Sequence, residues 1–266
     1  MGLFDGVLLC SDWDGSLSRG HSFKGEEVCP ENRTAIRRFQ QNGGLFTVCS
    51  GRYPAYILSF REQVAPNTAL IALNGSLIVE PESGKVLRER YLDPLLFSYL
   101  DRILDAFPHQ AEVLQYPVGA SGATTYSRSE YRTAKETVKN TPCYKALLIT
   151  DTAEHGELLR DTAREIIADT AFDAARSWPI GLEFINRESN KGNAVRYLKD
   201  LTGAKLLVTV GDYENDIPML EAADIGYAVA NATDDVKAVA DRVTRARHTE
   251  GAIAEIIRDI EKSLCA

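Results

Sequence analysis

Two groups of acidic residues stand where a short apolar segment ends. Asp12 and Asp14 follow one such segment, and Asp212, Glu214 and Asp216 follow another, far along the chain. In extended chain, residues two apart point to the same side, so carboxylates at this spacing lie together. Carboxylates that lie close together repel each other unless a cation or a shared proton relieves them. Because Mg²⁺ prefers hard oxygen ligands, the pattern predicts a magnesium site.

Each acidic group also has a plainer explanation. Asp14 with Gly15 is a common turn pair, and an acidic residue ahead of Pro218 could simply cap a helix. If both groups were only turns or caps, acidic residues would have to cluster by chance at the ends of two separate apolar segments. We therefore favour the metal site.

A hydroxyl and a lysine lie at two further segment boundaries. Ser50 and Gly51 follow an apolar run, and a hydroxyl with free N–H groups at a helix start suits a phosphate. For this signal alone, an ordinary helix cap is the commoner explanation. Lys191 opens another predicted helix, where a cation opposes the helix dipole. A facing anion, or the acidic groups, would explain its position better.

The apolar segments predict the strands that carry these residues. Val7–Cys10, Leu45–Cys49 and Ala69–Leu73 are nearly unbroken apolar runs, as in parallel strands buried on both faces. Helical patterns separate them, and Leu206–Val210 and Ile225–Ala230 repeat the arrangement. We predict an α/β fold with a doubly wound, Rossmann-like parallel sheet, and the candidate residues at its carboxyl edge.

The middle of the chain follows a different pattern. It carries two amphipathic helices, around Leu95–Phe107 and Leu158–Ile167, among segments in which polar and apolar residues alternate. Alternation is typical of antiparallel strands with one face in water. We therefore predict an inserted α+β domain at 82–186, between core segments 1–81 and 187–266. The predicted strands of the insertion are Glu112–Tyr116, Ala123–Ser127, Lys145–Thr150, Ala171–Ser177 and Gly181–Ile185.

Composition restricts the class of protein. The 266-residue chain has a net charge of -8, and an acidic chain lacks the electrostatic term that dominates nucleic-acid affinity, so we predict no nucleic-acid partner. No apolar run approaches the roughly 18 residues that span a membrane, so we predict no membrane partner. The five cysteines are scattered without a CxxC pair, which favours reduced thiols and a cytoplasmic location. No pattern indicates an oligomeric state.

Four short motifs occur in a consistent order, each at a predicted strand end or helix start. They are DWDGS with Asp12, SGR with Ser50, SNKGNAV with Lys191 and GDYENDIPML with Asp212. In these motifs the chain resembles the haloacid dehalogenase-like hydrolase superfamily, specifically the Cof-type class IIB phosphatases. The resemblance covers the two core segments, and it implies that the insertion is a C2B-type cap. Trp13 stands where the family has a smaller residue, and we expect it to affect access to the site.

The resemblance implies a role for each motif residue. Asp12 is expected to attack phosphorus and form an aspartyl-phosphate, and Asp14 is expected to act first as general acid and then as general base. Mg²⁺ is expected on Asp12, the Asp14 carbonyl and Asp212. Asp216 is expected to support the loop. The residues expected to hold the phosphoryl oxygens are Ser50, Gly51, Lys191 and Asn215.

The resulting prediction is a Mg²⁺-dependent phosphomonoester hydrolase for a small phosphorylated metabolite, with a sugar phosphate as the favoured substrate. A phosphomutase of the same superfamily would share the intermediate but depend on a bisphosphate. A catalytically silent, metabolite-binding regulator would normally have lost a motif residue, and a DxD glycosyltransferase is a more distant alternative. Cap side chains would select the substrate, and composition suggests Tyr126, Arg128, Arg132, His155, Arg176, Trp178 and Glu183.

Overall fold

The computed structural model of the chain describes residues 2–19 and 25–265. The chain folds into two compact units, Met1–Arg88 with Lys191–Ala266, and Glu89–Asn190, which we call the core unit and the cap unit. The predicted domain limits at 81/82 and 186/187 stay a prediction. Among the described helices, none has both the length and the apolar character needed to cross a membrane.

The secondary structure consists of short strands and helices that alternate through most of the chain. The strands are β1 Val7–Ser11, β2 Leu45–Val48, β3 Leu70–Ala72, β4 Leu77–Val79, β5 Val86–Glu89, β6 Glu112–Pro117, β7 Thr124–Tyr126, β8 Cys143–Ile149, β9 Phe172–Trp178, β10 Gly181–Asn186, β11 Leu206–Gly211, β12 Ile225–Ala228 and β13 Arg242–Val243. The α-helices are α1 Pro30–Gln41, α2 Pro54–Leu58, α3 Leu96–Ala106, α4 Arg128–Asn140, α5 Ala153–Ile167, α6 Lys191–Thr202, α7 Ile217–Ala222, α8 Asp234–Val239 and α9 Ala252–Cys265.

A five-stranded parallel sheet forms the centre of the core unit, in the order β13-β12-β11-β1-β2. Every residue of the interior strand β1 is buried, which explains its nearly unbroken apolar sequence. α6 packs on the sheet through Ala194, Val195 and Leu198. The predicted fold class is confirmed. Because the strands are parallel, the ends of β1, β2 and β11 lie at one edge of the sheet.

A second, three-stranded sheet of the core unit joins β3, β4 and β5, of which the sequence analysis predicted only β3. A bridge between Cys49 and Ile71 ties β3 to the end of β2. Between β3 and β4, Leu73 and Asn74 have φ angles of 51° and 57°. This left-handed conformation is strained for a bulky residue such as Leu73.

The cap unit contains an antiparallel sheet in the order β7-β6-β8-β10-β9. The two predicted helices are confirmed as α3 and α5, and the five predicted strands are confirmed within two residues. Leu100 of α3, Leu159 of α5 and Leu148 of β8 belong to one apolar cluster, so these helices pack against the sheet.

The sequence analysis did not predict α4. The helix is mostly polar, and only Tyr131 and Val138 of its residues are buried, so its apolar face is narrow. Its start does carry a local signal: the N–H of Ser127 donates to the Glu130 carboxylate at 2.8 Å, and the Glu130 N–H donates back to the Ser127 hydroxyl at 3.3 Å. This reciprocal pair is a capping box.

Candidate active site

The end of β1 carries the first pair of aspartates. The N–H of Asp12 donates to the carbonyl of Val210 at 2.9 Å, so Asp12 extends the pairing of β1 with β11, and it is 6 % exposed. The chain then turns at Gly15, whose φ is +85°. A Cβ at this position would lie 2.3 Å from Oδ2 of Asp212. Glycine is therefore required here both by the backbone conformation and by the close approach of Asp212.

Asp216 organises the end of β11. It is fully buried, and its Oδ2 accepts hydrogen bonds from the N–H groups of Asp212 and Tyr213 at 2.9 and 3.1 Å. Gly211 permits this arrangement, because a Cβ there would lie 2.4 Å from the Cβ of Asp216. The hydroxyl of Ser16 donates to Oδ1 of Asp212 at 2.8 Å. These bonds fix Asp212 relative to the turn that follows β1.

Lys191, the first residue of α6, joins the two strand ends. Its Nζ lies 2.6 Å from Oδ1 of Asp12 and 2.6 Å from Oδ1 of Asp216, and the residue is 1 % exposed. Burial opposes the charge of Lys191, but the facing carboxylates outweigh it and raise the pKa of the lysine above its usual value. The structure thus brings together predicted residues from three of the four motifs.

The buried cluster has more negative charge than Lys191 neutralises. Carboxylate oxygens of Asp12, Asp212 and Asp216 all lie within 4.8 Å of one another. Burial raises the pKa of Asp12, Lys191 lowers it, and the neighbouring carboxylates raise it again, so that it ends well above its usual range. Burial and the Asp216 charge raise the pKa of Asp212 to about 7. Three carboxylates around one ammonium group fit a metal cation, which would offset the remaining repulsion.

The side chain of Asp14 is not part of this carboxylate group and pairs with Arg52. Nε of Arg52 donates to Oδ2 of Asp14 at 2.9 Å, and Nη2 donates to Oδ1 at 3.1 Å, which makes a bidentate ion pair. The guanidinium also lies 4.9 Å from the ring centroid of Tyr56. Arg52 directly follows the partly exposed Gly51. The sequence analysis quoted it within the SGR motif without assigning it a role.

The left-handed turn after β3 holds the second motif. Ser50 is fully buried; its N–H donates to the carbonyl of Ile71 at 3.0 Å, and its carbonyl accepts from the N–H of Asn74 at 3.0 Å. Nδ2 of Asn215 donates to Oδ1 of Asn74 at 3.4 Å. The predicted phosphate-binding residues Ser50 and Asn215 are therefore connected through Asn74, to which the sequence analysis assigned no role.

Two residues near the C-terminal end of the chain support the turn after β1. Nδ2 of Asn231 donates to the carbonyl of Gly15 at 2.8 Å. Oδ1 of Asn231 accepts from the N–H of His248 at 3.0 Å and lies 2.8 Å from its Nδ1. The sequence analysis assigned neither residue a role, because nothing in their local sequence indicates contact with Gly15.

Trp13, which was expected to affect access to the site, is an interior residue, and the expectation itself stays a prediction. Trp13 is fully buried, and its ring stacks on Phe60 with centroids 5.2 Å apart. The physical reason is packing: Trp13 is a large apolar side chain that the core unit buries against Phe60.

Among the suggested cap residues, Glu183 lies in a buried polar cluster. Its Oε2 accepts from Nζ of Lys145 at 2.8 Å, and its Oε1 accepts from the hydroxyl of Ser177 at 2.6 Å. Lys145 is 1 % exposed and lies 4.4 Å from the ring centroid of Tyr116. The sequence analysis missed Lys145. Arg128, by contrast, donates to backbone carbonyls just after α3 and stabilises the cap fold.

The parallel core sheet, the inserted α+β cap and the carboxylate–lysine cluster together define a class of capped α/β hydrolase. A family model described as haloacid dehalogenase-like hydrolase matches residues 9–257, and the chain belongs to this family. The predicted resemblance, the C2B-type cap and the enzyme class, a phosphatase, are confirmed.

Individual relatives agree with this assignment. The chain is 27% identical over 287 residues to phosphatase YwpJ of Bacillus subtilis, covering 92% of this chain and 96% of the relative. It is 25% identical over 254 residues to the 5-amino-6-(5-phospho-D-ribitylamino)uracil phosphatase YcsE of the same organism, covering 94% of each. A solved HAD subclass IIB sugar phosphatase superimposes with a TM-score of 0.74 at 19% identity, covering 96% of this chain and 98% of that one. That structural likeness shows the fold.

Proposed function

We propose that the buried cluster is the active site of a Mg²⁺-dependent phosphomonoester hydrolase. The observation that carries the proposal is the environment of Asp12: a strand-end carboxylate with Lys191 on one oxygen and Asp212 close enough to share a cation with it. We assign the chemistry to a core domain of 1–81 and 187–266, and substrate selection to the cap domain, 82–186.

Asp12 acts as the nucleophile. Lys191 holds Oδ1, and within residues 2–19 and 25–265 no hydrogen bond engages Oδ2, which is therefore the oxygen that attacks. A bond forms from Asp12 to phosphorus as the ester P–O bond breaks, which leaves an aspartyl-phosphate and the alcohol. Lys191 favours the ionised form of Asp12 against the effect of burial, and only the ionised form can attack.

Asp14 moves the protons. It gives a proton to the leaving oxygen, and in the second step it accepts a proton from the water that hydrolyses the aspartyl-phosphate. The bidentate contact with Arg52 fixes the orientation of the Asp14 carboxylate for both steps. Arg52 is thus a positioning residue for Asp14.

The remaining motif residues hold the metal ion, the loop and the phosphoryl oxygens. Asp12, Asp212 and the backbone carbonyl of Asp14 would hold Mg²⁺, whose charge offsets the repulsion between Asp12 and the phosphate dianion. Asp216, with both carboxylate oxygens engaged, supports the loop. The residues proposed to hold the phosphoryl oxygens are Ser50, Gly51, Lys191 and Asn215.

We further propose a small phosphorylated metabolite as the substrate, with sugar phosphates first. The likeness to the subclass IIB sugar phosphatase and the phosphorylated ribityl compound in the name of the YcsE relative support this class. A phosphomutase would differ by requiring a bisphosphate and releasing no phosphate.

The test is a phosphate-release screen of sugar phosphates, nucleotides, pyridoxal phosphate and flavin mononucleotide, run with Mg²⁺ and again with excess EDTA. We expect phosphate release from at least one sugar phosphate with Mg²⁺, loss of that release in EDTA, and none from Asp12→Asn. Undiminished release in EDTA would contradict the metal assignment. Full release by Asp12→Asn would contradict the nucleophile.

A further inference from the structure

A cavity in the core unit lies between the edge strand β13 and helix α9, and the proposed reaction does not use it. Its volume is about 600 Å³, within the range of small-molecule sites. β13 is separated from β1 by two intervening strands, and no residue of the Asp12 cluster lines the cavity. The cavity is therefore distinct from the candidate active site.

The carboxylates that line this cavity are already engaged. Asp259 accepts hydrogen bonds from the hydroxyl of Tyr227 and from Arg242. Glu255 accepts from the backbone N–H of Arg245 at 3.0 and 3.2 Å, which fixes the loop after β13 against the start of α9. These bonds give the cavity defined walls.

Three lining cations have no such partner. Among the described residues, no hydrogen bond or ion pair holds the side chains of Arg245, Arg258 and Lys262, and of the three only Lys262 acts on a lining carboxylate, that of Asp259, through its charge. Arg258 and Lys262 stand four residues apart on α9, so they share a face and repel each other. The result is an excess of positive charge in a chain whose net charge is -8.

The helix dipole explains only part of this charge. Cations near a helix C-terminus are stabilised by the dipole, which accounts for Lys262 in the last turns of α9. It does not account for Arg245, which lies outside the helix on the loop after β13 and lines the same cavity.

We propose that this cavity binds a polyphosphorylated small molecule of the di- or triphosphate class. Guanidinium groups bind phosphate oxygens through paired N–H donors. The lining has four cations and two carboxylates, an excess of two positive charges, which a polyphosphate matches, whereas a monovalent anion would leave one of them uncompensated. The proposal does not depend on the reaction assigned to Asp12.

The test measures binding of inorganic tripolyphosphate by titration calorimetry at low ionic strength, in EDTA and without divalent cations. Under these conditions the Asp12 cluster presents uncompensated carboxylates and repels the probe. The variant Arg245→Gln/Arg258→Gln removes two cavity cations. The matched control Arg61→Gln/Arg196→Gln removes two exposed arginines elsewhere in the core unit, so that both variants have the same net charge.

We expect one saturable site per chain in the wild type and in the control. The cavity variant should bind at least about tenfold more weakly, as expected when charged hydrogen bonds are lost. Equal weakening in both variants, or no saturable binding by the wild type, would overturn the proposal. Binding of polyglutamate without binding of tripolyphosphate would overturn the small-molecule assignment. If the cavity variant unfolds, Arg258→Gln/Lys262→Gln replaces it, and the same outcomes support or overturn the proposal.

Discussion

Among the residues that the structure describes, each unit buries one lysine, and the two lysines differ in their partners. Lys191 in the core unit faces two carboxylates, those of Asp12 and Asp216, with Asp212 close by. Lys145 in the cap unit forms its ion pair with the carboxylate of Glu183. Both lysines are 1 % exposed, so burial alone does not distinguish them.

The difference lies in charge balance. The pair in the cap unit is neutral in itself, whereas the cluster in the core unit has an excess of negative charge, and the pKa of Asp212 rises to about 7 as a result of burial and of the neighbouring Asp216 charge. A buried neutral pair needs no further ion to be stable, but a buried excess of charge does. The core cluster therefore has the properties of a reaction site, and the pair in the cap unit those of a structural or recognition element.

The largest expected effect follows from replacing one carboxylate partner of each lysine by its amide. Asp12→Asn removes the nucleophile, so turnover of p-nitrophenyl phosphate should fall by at least about 10³-fold. Glu183→Gln is the matched control and should stay within about tenfold of the wild type, because Glu183 forms no bond to the reacting atoms. Comparable losses in the two variants would remove the distinction between the clusters.

Asp212 allows the metal to be tested separately from the nucleophile. Asp212→Asn should depress turnover by about 10²-fold, the scale of losing one major electrostatic stabiliser. Without metal, the variant should be more stable than the wild type, because it has one repelling charge fewer.

With Mg²⁺ present, the wild type should instead be more stable than Asp212→Asn. At a hundred times its dissociation constant, the ion should stabilise the wild type by about 2.7 kcal/mol and the variant far less, which thermal unfolding with Mg²⁺ and with EDTA would measure. Equal stabilisation of the two proteins would show that Asp212 does not hold the ion.

Removing each buried lysine tests the charge balance directly. Lys191→Met leaves two buried carboxylates unpaired and should destabilise the core unit by about 3–5 kcal/mol. Lys145→Met removes the cation from one carboxylate, Glu183, which keeps its hydrogen bond from Ser177, and should destabilise the cap unit by less. The two tryptophans, Trp13 and Trp178, lie in different units and report urea unfolding of each separately. A larger loss for Lys145→Met would contradict the comparison.

The smallest effect is expected at the support of the β1 turn. Asn231→Ala loses the hydrogen bond to the carbonyl of Gly15, which is worth about 1 kcal/mol. Turnover should fall by about tenfold or less, with little change in the unfolding temperature. A loss as large as that of Asp212→Asn would mean that Asn231 takes part in the chemistry.

The same two regions show what a sequence reveals and what it does not. The strands β1, β2 and β11 were predictable because parallel strands buried on both faces are continuous apolar runs. Asp12 and Asp212 were predictable as site residues because they directly follow β1 and β11. Lys191 was predictable because its place at a helix start is locally unfavourable.

The missed features depend on pairing between distant segments. Lys145 and Glu183 are 38 residues apart in sequence, and only the register of β8 with β10 brings them together. Asn231 reaches Gly15 across 216 residues. The polar helix α4 has only two buried side chains, Tyr131 and Val138, to mark its inner face. Arg52 stood in a recognised motif, but its contact with Asp14 joins the segments after β2 and β1, 38 residues apart in sequence.

The central claim is that Asp12 and Asp14 have different roles, and rapid-quench labelling with a ³²P-labelled aryl phosphate tests it most directly. With an activated leaving group the acid step matters little, so Asp14→Asn should phosphorylate itself and then stall, because it lacks the base for hydrolysis. We predict a burst of protein-bound phosphate in Asp14→Asn and none in Asp12→Asn. A burst in Asp12→Asn with none in Asp14→Asn would reverse the two roles, and the absence of labelling in both variants and in the wild type would contradict the covalent intermediate.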